Sequence, residues 1–170
     1  LIGVAAAEVG KVFTETDVEV SEAVDFVEFY SEATRYFEKL ENVTFSGKGV
    51  GLITPPWNFP IAIPCGGIAA ALAAGNTVIL KPASDTVLPA RVLCECFWDA
   101  GVPREALQLV ACSGRAAGEF LLADERVQTV VLTGGTETAQ RILASRPDLH
   151  LLAETGGKNA TIVSSLSDRD

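Results

Sequence analysis

The 170 residues include no methionine. A translated reading frame starts with one, and its removal leaves a small residue rather than a leucine such as Leu1, so the sequence reads as an internal segment of a longer protein. Basic clusters are missing as well: 13 lysines and arginines are scattered among 22 acids, for a net charge of −9. That balance argues against a nucleic-acid partner, which needs a basic stripe to displace counterions from phosphates. The longest apolar stretch, Ile61 to Ala74, is too short and too glycine-rich to span a bilayer. No charged leader or cleavage pattern opens the chain. No C-x-x-C pair occurs among Cys65, Cys94, Cys96 and Cys112, and their spacing suits neither a zinc site nor a disulfide framework. They are expected to be free, buried thiols in a reducing compartment, with the cytoplasm as the default location and no metal bound. The one histidine, His150, stands among surface-type residues. No Ser/His/Asp or Cys/His arrangement is available, and neither a Walker sequence nor a G-x-G-x-x-G fingerprint is present.

What the chain does have is apolar residues, 48 % of the total, enough to build the core of one domain or a large part of one. Residues 1–46 predict a helical lead-in. From Ser21 to Leu40, Ala23, Phe26, Val27, Tyr30, Ala33, Phe37 and Leu40 recur at three- and four-residue steps, which makes one apolar stripe on a helix. Ser21 is the expected N-cap, and Glu22, Asp25, Glu28 and Glu32 fall on solvated faces. Beyond Gly47 strands and helices alternate. Strands are expected at Val50–Ile53, Thr77–Leu80, Leu107–Val110, Val127–Leu132, Leu149–Ala153 and Ala160–Val163. Helices are expected at Ile61–Ala74, Val87–Ala100, Ala116–Ala123 and Glu137–Ser145. The polar run Ser164 to Asp170 follows the last strand-like stretch. Short connections between alternating strands and helices predict a Rossmann-like parallel sheet with helices on both faces over 47–170, and continuous apolar strands such as Val78-Ile79-Leu80 fit burial on both sides.

In an open α/β sheet ligands bind beyond the carboxyl ends of the strands. That rule selects Thr54 to Pro60, Lys81 to Asp85, Ala111 to Gly118, Thr133 to Thr138 and Glu154 to Asn159, which together hold the unusual polar residues of this region. In Pro55-Pro56-Trp57-Asn58-Phe59-Pro60, prolines stiffen the loop, Trp57 and Phe59 anchor it, and Asn58 is the polar side chain within the frame. Its amide suits an oxyanion donor, or else it caps the next helix. Lys81, between a buried strand and Pro82, suits a ribose or phosphate, or else it snorkels from the sheet edge. Thr133-Gly134-Gly135-Thr136-Glu137 joins a strand to a helix; the glycines let a pyrophosphate approach a helix N-terminus, or else they only make a tight turn. In Glu154-Thr155-Gly156-Gly157-Lys158-Asn159 a carboxylate meets a glycine turn. A semi-buried Glu154 there is a general base, or else a capping acid.

Pro56-Trp57-Asn58-Phe59-Pro60, Lys81-Pro82-Ala83-Ser84, Thr133 to Glu137 and Glu154 to Asn159, in this order and at these separations, resemble the aldehyde dehydrogenase superfamily. The lead-in, with Glu8-Val9-Gly10-Lys11, resembles that family's leading helices. Ala153-Glu154-Thr155-Gly156-Gly157-Lys158-Asn159-Ala160 is similar to the 1-pyrroline-5-carboxylate (glutamate semialdehyde) dehydrogenase branch. That branch includes the C-terminal enzyme of bifunctional proline utilisation proteins, and many other branches carry a leucine-type residue where Thr155 stands.

The resemblance implies a truncated aldehyde dehydrogenase fold that binds NAD or NADP. Asn58 would be the oxyanion donor, and Glu154 the base that activates a thiol or the hydrolytic water. Thr54, Pro55 and Trp57 would line the cofactor cleft. Lys81 would bind the adenosine ribose with Ser84 beside it, and Gly114 and Gly118 would lie against the adenine side. Gly135 and Thr136 would meet the pyrophosphate, and Thr155 and Gly156 would approach the nicotinamide. It also implies a small aldehyde as substrate and a homo-oligomeric full-length protein. Three positions depart from the family's pattern. Ser84 stands where many relatives carry an acid that repels a 2′-phosphate, which leaves NAD and NADP both open. Gly135 replaces a common serine, and Ala139 a common glycine. The family's nucleophilic cysteine falls beyond Asp170 and matches none of the four present, so the 170 residues alone are expected to lack dehydrogenase activity. The alternatives are a CoA-acylating or phosphorylating reductase of the same superfamily, which often lacks the base, and a nucleotide-binding module without catalysis.

Overall fold

A computed structural model of the protein describes residues 1–164. Two helices lead, α1 (Ile2–Val9) and α2 (Phe13–Glu38). Gly10 ends α1: at φ 69° it takes the left-handed conformation, and its N–H donates to the Ala6 carbonyl. There follow β1 (Val50–Thr54), α3 (Ala62–Ala73), β2 (Thr77–Leu80), α4 (Val87–Asp99) and β3 (Leu107–Leu109). A short helix, α5 (Gly114–Ala116), runs into a π-helical turn (Ala117–Leu121), and β4 (Val127–Gly134), α6 (Thr136–Ser145) and β5 (His150–Thr155) complete the order.

Among the described residues the strands form one five-stranded parallel sheet in the order β3-β2-β1-β4-β5. Alternation along each strand divides the core in two. Ile53, Val78, Leu80 and Leu107 face Ile61, Ile68 and Leu93 of the α3–α4 side. Leu52, Val127, Val130 and Leu132 face Ala139, Ile142 and Leu149 of the α6 side. The helices therefore cover both faces, as the continuous apolar strands predict. Helix α3 is thin where it crosses the sheet. A Cβ added to Gly66 would meet the Phe26 ring of α2 at 3.0 Å, and one added to Gly67 would meet Ile53 Cγ2 of β1 at 2.8 Å. These two glycines let the lead-in and the sheet close on the same helix from opposite sides.

Several elements differ from the sequence expectation. Helix α2 begins at Phe13, and Ser21 lies inside it, its hydroxyl donating to the Asp17 carbonyl, so Ser21 is not a cap. The buried stripe extends further back than expected, through Thr16 and Glu19 to Ala23, while Val27, Phe37 and Leu40 are exposed. The predicted helix Ala116–Ala123 is instead α5 and the π-helical turn. Strands β4 and β5 run on to Gly134 and Thr155, so Thr133, Glu154 and Thr155 belong to strands rather than to the loops after them. Ala160–Val163 is not a sixth strand: it is exposed and without regular structure. Its β-branched residues favour a strand only where a neighbouring strand supplies a ladder, and no such pairing is present among the described residues. The polar run from Ser165 to Asp170 lies outside the described residues. No helix among the described residues is long and apolar enough to cross a membrane.

Candidate active site

After β1 the chain builds outward to β2 and β3, then returns to the far side of β1 for β4 and β5. The β1–β4 boundary is therefore the point where the winding reverses, and a crevice is expected at the carboxyl ends of these strands. A cleft of ≈ 570 Å³ lies there. Pro56 and Asn58 from the loop after β1 line one part of it, Thr133 and Gly134 of β4 the floor, and Ala153, Glu154, Thr155 and Gly156 the rest. Parallel register sets Thr133 beside Glu154 and Gly134 beside Thr155. Asn58 and Glu154, remote in sequence, thus open into one space.

The other site residues predicted from the sequence spread along the same edge. Thr54 ends β1, and its hydroxyl donates to the Val131 carbonyl of β4 at 3.1 Å, tying the two strands at the switch point. Pro55 is buried and Trp57 exposed. Lys81 follows β2, where its ammonium donates to the Pro82 carbonyl at 2.8 Å. Ser84 is exposed in the turn beyond it, and Gly114 and Gly118 are exposed after β3. None of these lines the Asn58–Glu154 cleft. Gly135 and Thr136 start α6, and Gly156, at φ 78°, brings its Cα close enough that a Cβ would stand 3.6 Å from Thr136 Oγ1.

The start of α6 has room for an anion. Gly135 is its N-cap and contributes no side-chain cap. A Cβ on Gly134 or Gly135 would meet nothing closer than Leu132 Cδ1 at 3.7 Å or Thr138 Oγ1 at 3.9 Å. The backbone there is bare and approachable, and the positive end of the helix faces whatever approaches.

Three local expectations are corrected. Glu154 is exposed rather than semi-buried; it lies on β5, the outermost strand among the described residues. Trp57 and Phe59 are 58 % and 40 % exposed, so buried Pro55 and Pro60 hold the loop down instead. Asn58 does not cap α3, whose N-cap, Ile61, makes no side-chain bond. The cap comes from α2: one oxygen of Glu19, Oε2, accepts from the Ile61 and Ala62 N–H groups at 2.9 and 3.1 Å.

Motif reading missed Glu19 and gave its partner Lys11, quoted only as part of the lead-in, no role. Glu19 is 1 % exposed and forms an ion pair with Lys11. The ammonium of Lys11 also donates to the Asn58 main-chain carbonyl at 2.8 Å and stands 4.0 Å from the centre of the Phe59 ring. Lys11, Trp57, Asn58 and Phe59 line a wider groove of ≈ 740 Å³ beside the cleft. A signal existed in the sequence. Carried back in three- and four-residue steps, the stripe Phe26–Ala23 lands on Glu19 and Thr16, and a carboxylate on a buried face needs a partner.

The cysteines are free, as expected, but not all are buried: Cys96 is exposed and Cys112 half-buried. Burial pushes the Cys65 thiol up to about 12 and the Cys94 thiol to about 11. Neither is a ready nucleophile, and no cysteine lines the cleft.

The same arrangement of strands and motifs runs through a known family, whose aldehyde dehydrogenase profile matches residues 1–170. The chain belongs to the aldehyde dehydrogenase family. Within it, this dehydrogenase-family chain is 45 % identical to the bifunctional protein PutA of Escherichia coli (strain K12), over 97 % of its own length but 13 % of the relative. It is 34 % identical to the 1-pyrroline-5-carboxylate dehydrogenase of Bacillus cytotoxicus, over 95 % of its length and 35 % of the relative. Among solved structures, proline utilization A from Corynebacterium freiburgense superposes with a TM-score of 0.88 at 37 % identity, covering 92 % of this chain and 16 % of that one. An NADP-dependent glyceraldehyde-3-phosphate dehydrogenase from Bacillus halodurans, solved with NADP, superposes with a TM-score of 0.84 at 27 % identity, over 92 % of this chain and 36 % of that one. The chain therefore spans about an eighth to a third of the proteins it matches.

Proposed function

We propose that this chain is the cofactor-binding part of an NAD- or NADP-dependent aldehyde dehydrogenase that oxidises glutamate semialdehyde to glutamate in proline breakdown. The observation that carries the reading is the shared cleft: Asn58 and Glu154 open into one space at the switch point of a parallel sheet. The names of the relatives, PutA and 1-pyrroline-5-carboxylate dehydrogenase, support the substrate.

In this reading the Asn58 side-chain amide donates to the aldehyde oxygen as negative charge develops on it, which lowers the barrier most if the donor is held in place beforehand. The Glu154 carboxylate accepts a proton from the attacking thiol or from the water that releases the acid. Gly135 and Thr136 offer the bare start of α6 to a pyrophosphate, and Lys81, after β2, offers an ammonium to the ribose of the same molecule. Gly114 and Gly118 leave open surface near the adenine end, and Thr155 and Gly156 border the cleft where the nicotinamide would reach. When bound, the nicotinamide cofactor supplies the acceptor for the hydride. In this reading the thiol is none of Cys65, Cys94, Cys96 and Cys112, which is supported by the burial that raises the first two and by the absence of all four from the cleft lining.

The test is turnover of glutamate semialdehyde by the full-length protein, followed by absorbance of the reduced cofactor and by chromatography of the product. Free glutamate formed in step with reduced cofactor is the expected result. An acyl-CoA or acyl-phosphate product would point to the reductase alternative, and absence of any turnover would overturn the assignment.

A further inference from the structure

We infer that Lys11 and Glu19 of the leading helices are positioning residues that set the Asn58 loop for catalysis. The inference rests on the reading of Asn58 as the oxyanion donor. Between the buried prolines Pro55 and Pro60, Trp57, Asn58 and Phe59 are all exposed and lie outside any helix or strand. The prolines fix the two ends of this segment but not the residue in its middle, yet an oxyanion donor works only when it holds one orientation. The Lys11 ammonium supplies the restraint. It donates to the Asn58 main-chain carbonyl at 2.8 Å and lies over the Phe59 ring at 4.0 Å, so it grips the donor residue and its neighbour at once.

Glu19 fixes Lys11. The carboxylate is 1 % exposed, pairs with Lys11 through Oε1, and through Oε2 accepts from the Ile61 and Ala62 N–H groups, just past the other end of the loop. One buried carboxylate therefore ties the lead-in lysine to the start of α3, and the loop carrying Asn58 is clamped between them. A hydrophobic pair would pack the helices as well, and burying a charge pair for packing alone is a poor bargain. What the pair adds is direction: two N–H groups and the Lys11 ammonium converge on one carboxylate, and the ammonium's further contact is with Asn58, which lines the cleft. The lysine side chain is itself 11 % exposed, although the Asn58 carbonyl that it meets lies at the surface.

The test uses the full-length enzyme with three variants: Lys11→Met, the double variant Lys11→Met/Glu19→Gln, and Asn58→Ala. Lys11→Met leaves a buried carboxylate unpaired and destabilises the fold, so its lost activity alone decides nothing. The double variant removes both charges while the amide that replaces the Glu19 carboxylate keeps an oxygen for the α3 cap, and its melting temperature recovers toward wild type. Its kcat remains down on the order of tenfold, with the cofactor Kd unchanged, because Asn58 has lost its restraint. Hydrogen exchange at the Trp57–Phe59 amides, read without substrate, rises in the double variant. If kcat and loop exchange return to wild type together with the melting temperature, Lys11 and Glu19 are structural only and the inference is wrong. Asn58→Ala separates the two levels: wild-type kcat in that variant overturns the function itself, whereas a large loss there beside a normal double variant overturns the positioning role alone.

Discussion

Gly67 of α3 and Ile53 of β1 are in such close contact that a Cβ on the glycine would lie 2.8 Å from the isoleucine Cγ2. The approach sets the depth at which α3 rests on the sheet, and with it the point from which the Asn58 loop springs. Gly67→Ala should therefore destabilise the protein even though alanine is the better helix former. Helix propensity favours alanine by about 1 kcal/mol, and overpacking against a buried, stiff, β-branched side chain costs roughly 1–3 kcal/mol. A net loss near 1 kcal/mol is expected in denaturant titration; a variant more stable than wild type would show that Ile53 yields.

The lead-in holds the α/β unit by carboxylates as well as by packing. Glu8 of α1 accepts from the Leu88 N–H at the start of α4 at 2.9 Å, as Glu19 does at the start of α3. Glu8→Ala should cost about 1 kcal/mol, the ordinary loss of a helix cap, and Glu8→Gln less. Equal melting temperatures for wild type and Glu8→Ala would contradict the capping role.

These caps also mark where the sequence is hard to read. The sheet is legible in it, because runs such as Val78-Ile79-Leu80 are apolar throughout and are followed by glycine- and proline-bearing turns. The candidate cleft is legible as a set of segments, because strand ends on one edge of a parallel sheet come together whatever the chemistry. The start of α2 is not: its N-cap, Val12, makes no side-chain cap bond, so Ser21 is the more attractive signal although it lies within the helix. Nor is the cap of α3, which arrives from another helix. Ala160–Val163 has strand composition but lacks a partner strand among the described residues, and propensity alone does not make a ladder. Glu154 is legible as a strand-end acid, but its exposure follows from its place on β5, outermost among the described strands, which is a matter of topology rather than of local sequence.

The buried thiols set a pH dependence. Cys65 and Cys94 are raised to about 12 and about 11 from an ordinary value of 9.0. Above pH 9.0 the unfolded chain therefore releases thiol protons that the folded chain keeps, so stability falls as pH climbs toward about 11 to 12. The denaturation midpoint should fall less steeply over that range in a Cys65→Ala/Cys94→Ala variant than in wild type, whatever the variant's absolute stability. Parallel slopes would contradict the assignment. With a thiol reagent at neutral pH, exposed Cys96 should react first and Cys65 and Cys94 only on unfolding.

The 170 residues alone should bind cofactor without turning over aldehyde. Calorimetric titration should detect NAD or NADP binding at millimolar ligand, while no aldehyde is oxidised. Lys81→Ala should weaken that binding roughly tenfold, the equivalent of about 1.5 kcal/mol for one lost charged hydrogen bond. Binding equally strong with and without Lys81 would place the ribose elsewhere, and no binding at all would mean that this part of the chain is not a cofactor module by itself.

On the proposed function, Asn58 and Glu154, which line one cleft, act on one aldehyde. Steady-state kinetics of Asn58→Ala, Glu154→Gln and the double variant, in the full-length enzyme, address it most directly. Expected are kcat losses of roughly 10²–10³ for the first and roughly 10²–10⁴ for the second, with cofactor affinity unchanged and the double variant less impaired than the product of the two. Wild-type kcat in either single variant would contradict it.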